Sequence, residues 1–171
     1  MSRLKNAIHY VVSNTEPEKL GSTKLAKILL FADAESFRRT GATITGASYI
    51  KRDFGPLVQN FNAAIDELKR ESRIAERRGD HFGYPQRQFW ATEAPDISEF
   101  SGQDIARLAH AKDIICENHT ASSISDLSHN LAWQVVPDGE EIPIPAFLAG
   151  FRQGQPTADD LAFIQTEFAH A

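Results

Sequence analysis

TKLAKILLFADAESFRRTGATITGASYIKRDFGPL, Thr23 to Leu57, is the stretch on which the reading of this chain turns. At ~100° per residue, the apolar positions from Thr23 to Thr40 cover most of a helical circumference. Lys24, Lys27, Glu35 and Arg38 mark one polar strip. A helix with that pattern belongs in the middle of a core. Ser22 or Thr23 can cap its start with a side-chain oxygen, and Gly41 stops it. The segment that follows is punctuated by glycines and ends in Gly55-Pro56. No cluster of catalytic side chains lies in it, so the stretch reads as a binding scaffold.

One residue breaks the apolar arc. Asp33 falls among Ala26, Leu29 and Ala32 on the helical wheel. A buried carboxylate without partners is costly, so it must be hydrogen-bonded or paired. Tyr49, Lys51, Arg52 and His129 are the candidate partners. The reading is a buried tether between the helix and the Gly55-Pro56 segment, not a catalytic acid, because spacing brings no second carboxylate to it. Phe31 projects instead toward Lys27 and Arg38. It either packs under the N-terminal helix or stands exposed as an aromatic anchor for a partner.

Working outward, Arg3 to Ser13 reads as a short helix with Leu4, Ala7, Ile8 and Val11 on one face, and Asn14 to Gly21 as a linker. Pro56 opens a third helix at its first turn, with Phe61, Ala64, Ile65 and Leu68 buried. Ser72–Arg77 and Arg87–Thr92 are predicted strands, joined by a loop holding Gly79, Asp80, Gly83 and Pro85. Gln103–Asn118 and Ser123–Ala132 are predicted helices, Glu141–Phe147 with its two prolines is extended, and Thr157 caps a last helix. The predicted fold is α+β, mostly α. It has about six helices around a central apolar helix and a small antiparallel sheet or hairpin of two or three strands, winged-helix-like. Residues 1–171 form a single domain in this reading.

Composition narrows the function classes. Apolar residues make up 42% and charged residues 24%, the balance of a globular chain that buries a core. No run approaches the ~18 apolar residues of a membrane span. The start, MSRLKNAIHYVV, lacks the apolar core of a signal peptide, and the single Cys116 has no internal disulfide partner. These features point to the cytoplasm, with no membrane partner. Residues 1–92 hold 15 Lys and Arg against 10 Asp and Glu, a net of +5; residues 93–171 hold 3 against 13, a net of −10. Such a split gives surfaces of opposite sign that steer partners.

Chemistry-bearing motifs are sparse. His110, Cys116 and His119 have spacings that match no paired zinc pattern, so no metal is expected. His129, just before Trp133, reads as a core histidine bonded to backbone. No nucleophile elbow, P-loop or dinucleotide fingerprint is present, so neither enzyme nor cofactor is expected. Lys69, Arg70, Arg73, Arg77, Arg78 and Arg87 make a basic helix end and hairpin that could grip phosphates. Glu71, Glu76 and Asp80 dilute this to +3 over residues 69–87. A winged-helix-like DNA-binding regulator is therefore the alternative class.

Three pieces resemble the SocA-like antitoxin family, also called Panacea. They are TKLAKILLFADAESFRRTG (Thr23 to Gly41), ITGASYIKRDFGPL (Ile44 to Leu57) and ISDLSHNLAWQVVPDGEEIPI (Ile124 to Ile144). The first is similar to a helix signature ending in Tyr/Phe-Ala-Asp, the second carries the Gly-Pro, and the third the Ser-His, Trp and Ile-Pro pattern. Leu57 and Ile144 depart from the usual residues, a small one or Val and a Tyr. The likeness covers roughly residues 20–150 and assigns Asp33, Gly55, Pro56, His129 and Trp133 to its motifs.

The resemblance implies an antitoxin that binds and neutralises a cognate protein toxin by occlusion. In at least one type it also implies an adaptor that hands the toxin to a cytoplasmic protease. The predicted partner face comprises Phe31, Arg38, Arg39, Tyr49, Lys51 and Arg52, since Arg and aromatic residues are the usual interface anchors.

Overall fold

Helix α2 (Pro17–Thr40) is the centre of the molecule, which the computed structural model describes over residues 2–151. Leu25, Ile28, Leu29 and Leu30 have no exposure at all, and Lys27, Asp33 and Glu35 are buried with them. The helix begins earlier than its predicted start at Ser22 or Thr23. Pro17 occupies the first turn, where its missing N–H costs nothing. Gly21 then interrupts the helix with φ 63°, a left-handed conformation suited to glycine. The predicted linker is thus partly helical. At the other end Gly41 adopts φ 75°, and its N–H donates to Phe37 O over 2.8 Å, the left-handed stop that was predicted.

Helix α1 (Ser2–Ser13) lays Leu4, Ala7, Ile8 and Val11 against α2. After Gly41 the chain folds back along α2 and forms β1 (Tyr49–Ile50), paired antiparallel with β2 (Leu57–Val58), Tyr49 opposite Val58. Pro56 therefore leads into a strand, not a helix, because Gly55 at φ 93° lets the chain reverse there. Helix α3 begins at Phe61 and runs to Arg70, burying the predicted stripe of Phe61, Ala64, Ile65 and Leu68.

Strands β3 (Ile74–His81) and β4 (Tyr84–Ala91) form a separate hairpin, longer than predicted. Gly79, Asp80 and Pro85 belong to the strands, and only Phe82 and Gly83 make the turn. Gly79 leaves room for the Gln88 amide, since a Cβ there would come within 2.4 Å of it and make it shift.

Helix α4 (Gly102–Asn118) packs along α2 and opens with a capping box between Ser101 and Asp104. It buries Leu108, Ala111 and Ile115, while Ile105 and Ala109 are half-buried. The helix predicted over Ser123–Ala132 is two helices, α5 (Ala121–Leu127) and α6 (Leu131–Val135), because the Asn130 side chain caps a second start by accepting from Trp133 N–H. Ile144–Gly150 is helical as well (α7), not extended. Pro143 and Pro145 sit at its entry, where proline is tolerated. The described residues hold seven helices and two antiparallel two-stranded sheets, an α+β fold that is mostly α. The helix predicted from Thr157 lies outside the described residues.

Candidate functional site

Asp33 has no solvent exposure. Its Oδ1 accepts the N–H groups of Ile44 (2.7 Å) and Thr45 (2.9 Å); its Oδ2 accepts the hydroxyls of Thr45 and Tyr49, the latter at 2.7 Å. Burial pushes the carboxyl pKa up, and these four donors oppose the shift. The predicted tether exists, but it grips Ile44 to Tyr49 and not Gly55-Pro56. Of the four predicted partners only Tyr49 is used. Burial and the Asp33 charge raise the Tyr49 phenol well above its ordinary value, so it stays a donor.

Lys27 holds the Gly55-Pro56 end. It is buried, and its Nζ donates to Pro56 O over 2.9 Å. Desolvation lowers its pKa to about 7. Gly55 packs so closely that a Cβ would lie 2.0 Å from Ser128 Oγ and 2.7 Å from Lys27 Nζ. A cleft of about 220 Å³ opens here, lined by Ser22, Thr23, Lys27, Arg52, Phe54 and Arg87 among others. Wheel reasoning put Lys27 on an outer polar strip. The available contrary signal was its position one turn from Phe31 and two from Ala34, both apolar.

Between the two anchors, Lys51 and Arg52 gather on Trp133. The indole N–H donates to Arg52 O over 2.9 Å, and Lys51 Nζ lies 4.5 Å from the ring centroid while donating to Val136 O over 2.9 Å. His129 stacks on the same indole, centroids 3.8 Å apart. Its pKa is lowered by burial first and by Lys27 next, with Asp126 and the Asp53 backbone opposing. The expected backbone bond is therefore made, to Asp53, but the ring is half-buried against the indole and not in the core, and its Nε2 has no hydrogen-bond partner among the described residues. Backbone bonds from Lys51 N–H to Glu140 O and from Gly139 N–H to Lys51 O clasp the segment from the far side.

Phe31 and Tyr49 do not offer their rings to a partner. Tyr49 is spent on Asp33, and Phe31 is buried, with the rings of Phe147 and Phe151 at centroid distances of 5.7 and 6.4 Å. Arg38 and Arg39 both close on the buried Glu35, Arg38 Nε at 3.0 Å. At the hairpin, Glu76 is shared by Arg87 and by Lys69 at the end of α3, which hold its carboxyl down to about 2, and Arg73, just before β3, pairs with Glu93. These pairs reduce the free positive charge there. Among the described residues no three His, Cys, Asp or Glu side chains gather to hold a metal, and no helix is long and apolar enough to cross a membrane.

The sequence model described as "Antitoxin SocA-like, Panacea domain" matches residues 25–134, well over half of the chain. The chain belongs to the SocA-like antitoxin family. No curated protein and no solved structure matches it. The matched Panacea region takes in Lys27, Asp33, Gly55, Pro56, Ser128, His129 and Trp133. Both anchors of the 44–56 segment and the indole beneath it therefore lie inside the Panacea domain, while α1 and α7 flank it.

Proposed function

We propose that this Panacea protein is the antitoxin of a toxin–antitoxin pair, a single domain acting in the cytoplasm that neutralises a cognate protein toxin by covering its active surface. One observation supports a specific face. On a segment fixed at both ends, Lys51 makes a cation–aromatic contact with Trp133 of α6 and the Arg52 carbonyl holds the same indole, and exposed Phe54 and Val135 lie beside them in sequence. Preorganised aromatic and basic anchors are what a tight protein interface uses. Arg38 and Arg39 at the end of α2 complete the proposed contact set. Delivery of the toxin to a cytoplasmic protease is the second step open to such a binder.

A growth assay tests this. Each gene adjacent to this one is induced in a bacterial host with and without this protein. One neighbour that arrests growth, relieved by this protein, supports the reading; the absence of any toxic neighbour counts against it. Toxin loss from the cell only when this protein is present separates delivery from simple occlusion.

A further inference from the structure

The cleft beside Gly55 has a floor and walls of one electrostatic sign. Lys27 lies at its floor, and Arg52 and Arg87 line it, with no acidic residue among the described lining residues. An ammonium carries three protons. Pro56 O is the one hydrogen-bond acceptor that Lys27 has among the described residues. Arg87 is already committed, to Glu76 and to Asn62 Oδ1 at 3.2 Å. Arg52 is exposed, and its guanidinium has no ion pair among the described residues. The cleft thus has a buried amine with N–H donors beyond the one given to Pro56 O, an exposed guanidinium, and the hydroxyls of Ser22 and Thr23.

We infer that this cleft seats a single carboxylate, an Asp or Glu side chain of the protein that the domain binds. The identity of that protein rests on the antitoxin reading; the chemistry of the seat does not. Its 220 Å³ is smaller than the ~300–1,000 Å³ of small-molecule sites, which suits one side chain and not a free metabolite. Phe54, 69% exposed at the rim, adds the apolar contact that accompanies a charged anchor in protein interfaces. A nucleic-acid backbone is disfavoured, because it needs a row of free cations and Arg87 is spoken for. A carboxylate arriving here also restores the charge that burial takes from Lys27, an attraction strengthened by the low local dielectric.

The test is an amide NMR titration of the full chain with N-acetyl-glutamate methylamide, its glutamine isostere and inorganic phosphate. The glutamate compound is expected to move the Gly55 and Leu57 amides, and the glutamine compound to leave them in place. Lys27→Met, which keeps the stem and removes the charge, abolishes the response. Should that variant not fold, Arg52→Gln at the exposed wall carries the test, with binding about tenfold weaker, the effect of one lost charge-assisted hydrogen bond. Equal responses to the glutamate and glutamine compounds overturn the inference, as does a phosphate response as strong as that to glutamate.

A second arm separates this from the antitoxin reading. With a toxic neighbour in hand, Lys27→Met and Arg52→Gln should lose protection of growth. Full protection by both, together with no carboxylate response, removes the seat and leaves the antitoxin standing. A carboxylate response with no toxic neighbour does the reverse.

Discussion

Tyr49 donates its hydroxyl to Asp33 Oδ2 over 2.7 Å, sixteen residues along the chain, and both groups are buried. With the donors of Ile44 and Thr45, this satisfies a carboxylate inside the central helix. Asp33→Ala leaves several buried donors without an acceptor, each costing about 1–3 kcal/mol. The expected loss is at least ~3 kcal/mol, or a fall in Tm of about 6–12 °C for a chain of this size. Tyr49→Phe should cost less, about 1 kcal/mol. An unchanged Tm for Asp33→Ala would mean that the tether stabilises nothing.

Gly55→Ala should destabilise the protein by more than the ~1 kcal/mol of an ordinary glycine replacement, because φ is 93° and the methyl meets Ser128 Oγ and Lys27 Nζ. Adding Ser128→Ala to Gly55→Ala should recover part of the loss in urea unfolding. Simple additivity of the two changes would show that the clash is not the cause.

Lys27 gives the protein a pH dependence of calculable sign. Its folded pKa of about 7 lies below the 10.5 of an ordinary lysine. Between those values the unfolded chain holds a proton that the folded chain has released. Stability therefore rises with pH across that window, by up to ~1.4 kcal/mol per pH unit, and below it the full cost of the buried ammonium is carried. Urea melts from about pH 7 to 9 should show the rise in the native protein and not in Lys27→Met. Parallel curves for the two would mean that Lys27 titrates as an exposed lysine does.

Arg38 and Arg39 share Glu35, so their removal is not a pure surface change. Arg38→Ala with Arg39→Ala together should cost about 1–3 kcal/mol, and each alone much less. Glu35→Gln should make the double replacement cheaper. Neutralisation assays on Arg38 and Arg39 variants need that stability comparison beside them.

Lys51→Glu and Arg52→Glu should weaken toxin neutralisation; Arg52→Glu should leave Tm within ~2–4 °C, the effect of about 1 kcal/mol, whereas Lys51→Glu loses its bond to Val136 O and should lower Tm further. Arg52 contributes to the fold through its carbonyl, which any residue supplies. Undiminished growth protection by both variants would remove this face from the interface.

The apolar wheel of residues 23–40 made the central helix and the burial of Asp33 legible, because periodicity reports burial directly. It could not choose among partners for Asp33. That choice depends on where residues 42–49 fold back, which no local pattern encodes. Pro56 fits a helix start and also a turn out of Gly55; pairing of Leu57 and Val58 with β1 decided for the turn. The same ambiguity misplaced Pro143 and Pro145, this time in favour of a helix. Lys27 stayed hidden because lysine is almost never fully buried, so its type outweighed its position.

Lys27 and Asp33 each anchor a different end of one strand-turn-strand segment, and each is satisfied chiefly by backbone or hydroxyl groups. Between the anchors, Ile50 to Phe54 are held through main-chain atoms of Ile50, Lys51 and Arg52 and through the Lys51 amine on Val136 O. The pose of this strap is thus set by main-chain bonds and by the side chains of Asp33, Lys27 and Lys51, while the exposed side chains of Arg52 and Phe54 are spared that task. Such a division lets the outward side chains be exchanged one at a time, each tuning which protein is recognised without moving its neighbours.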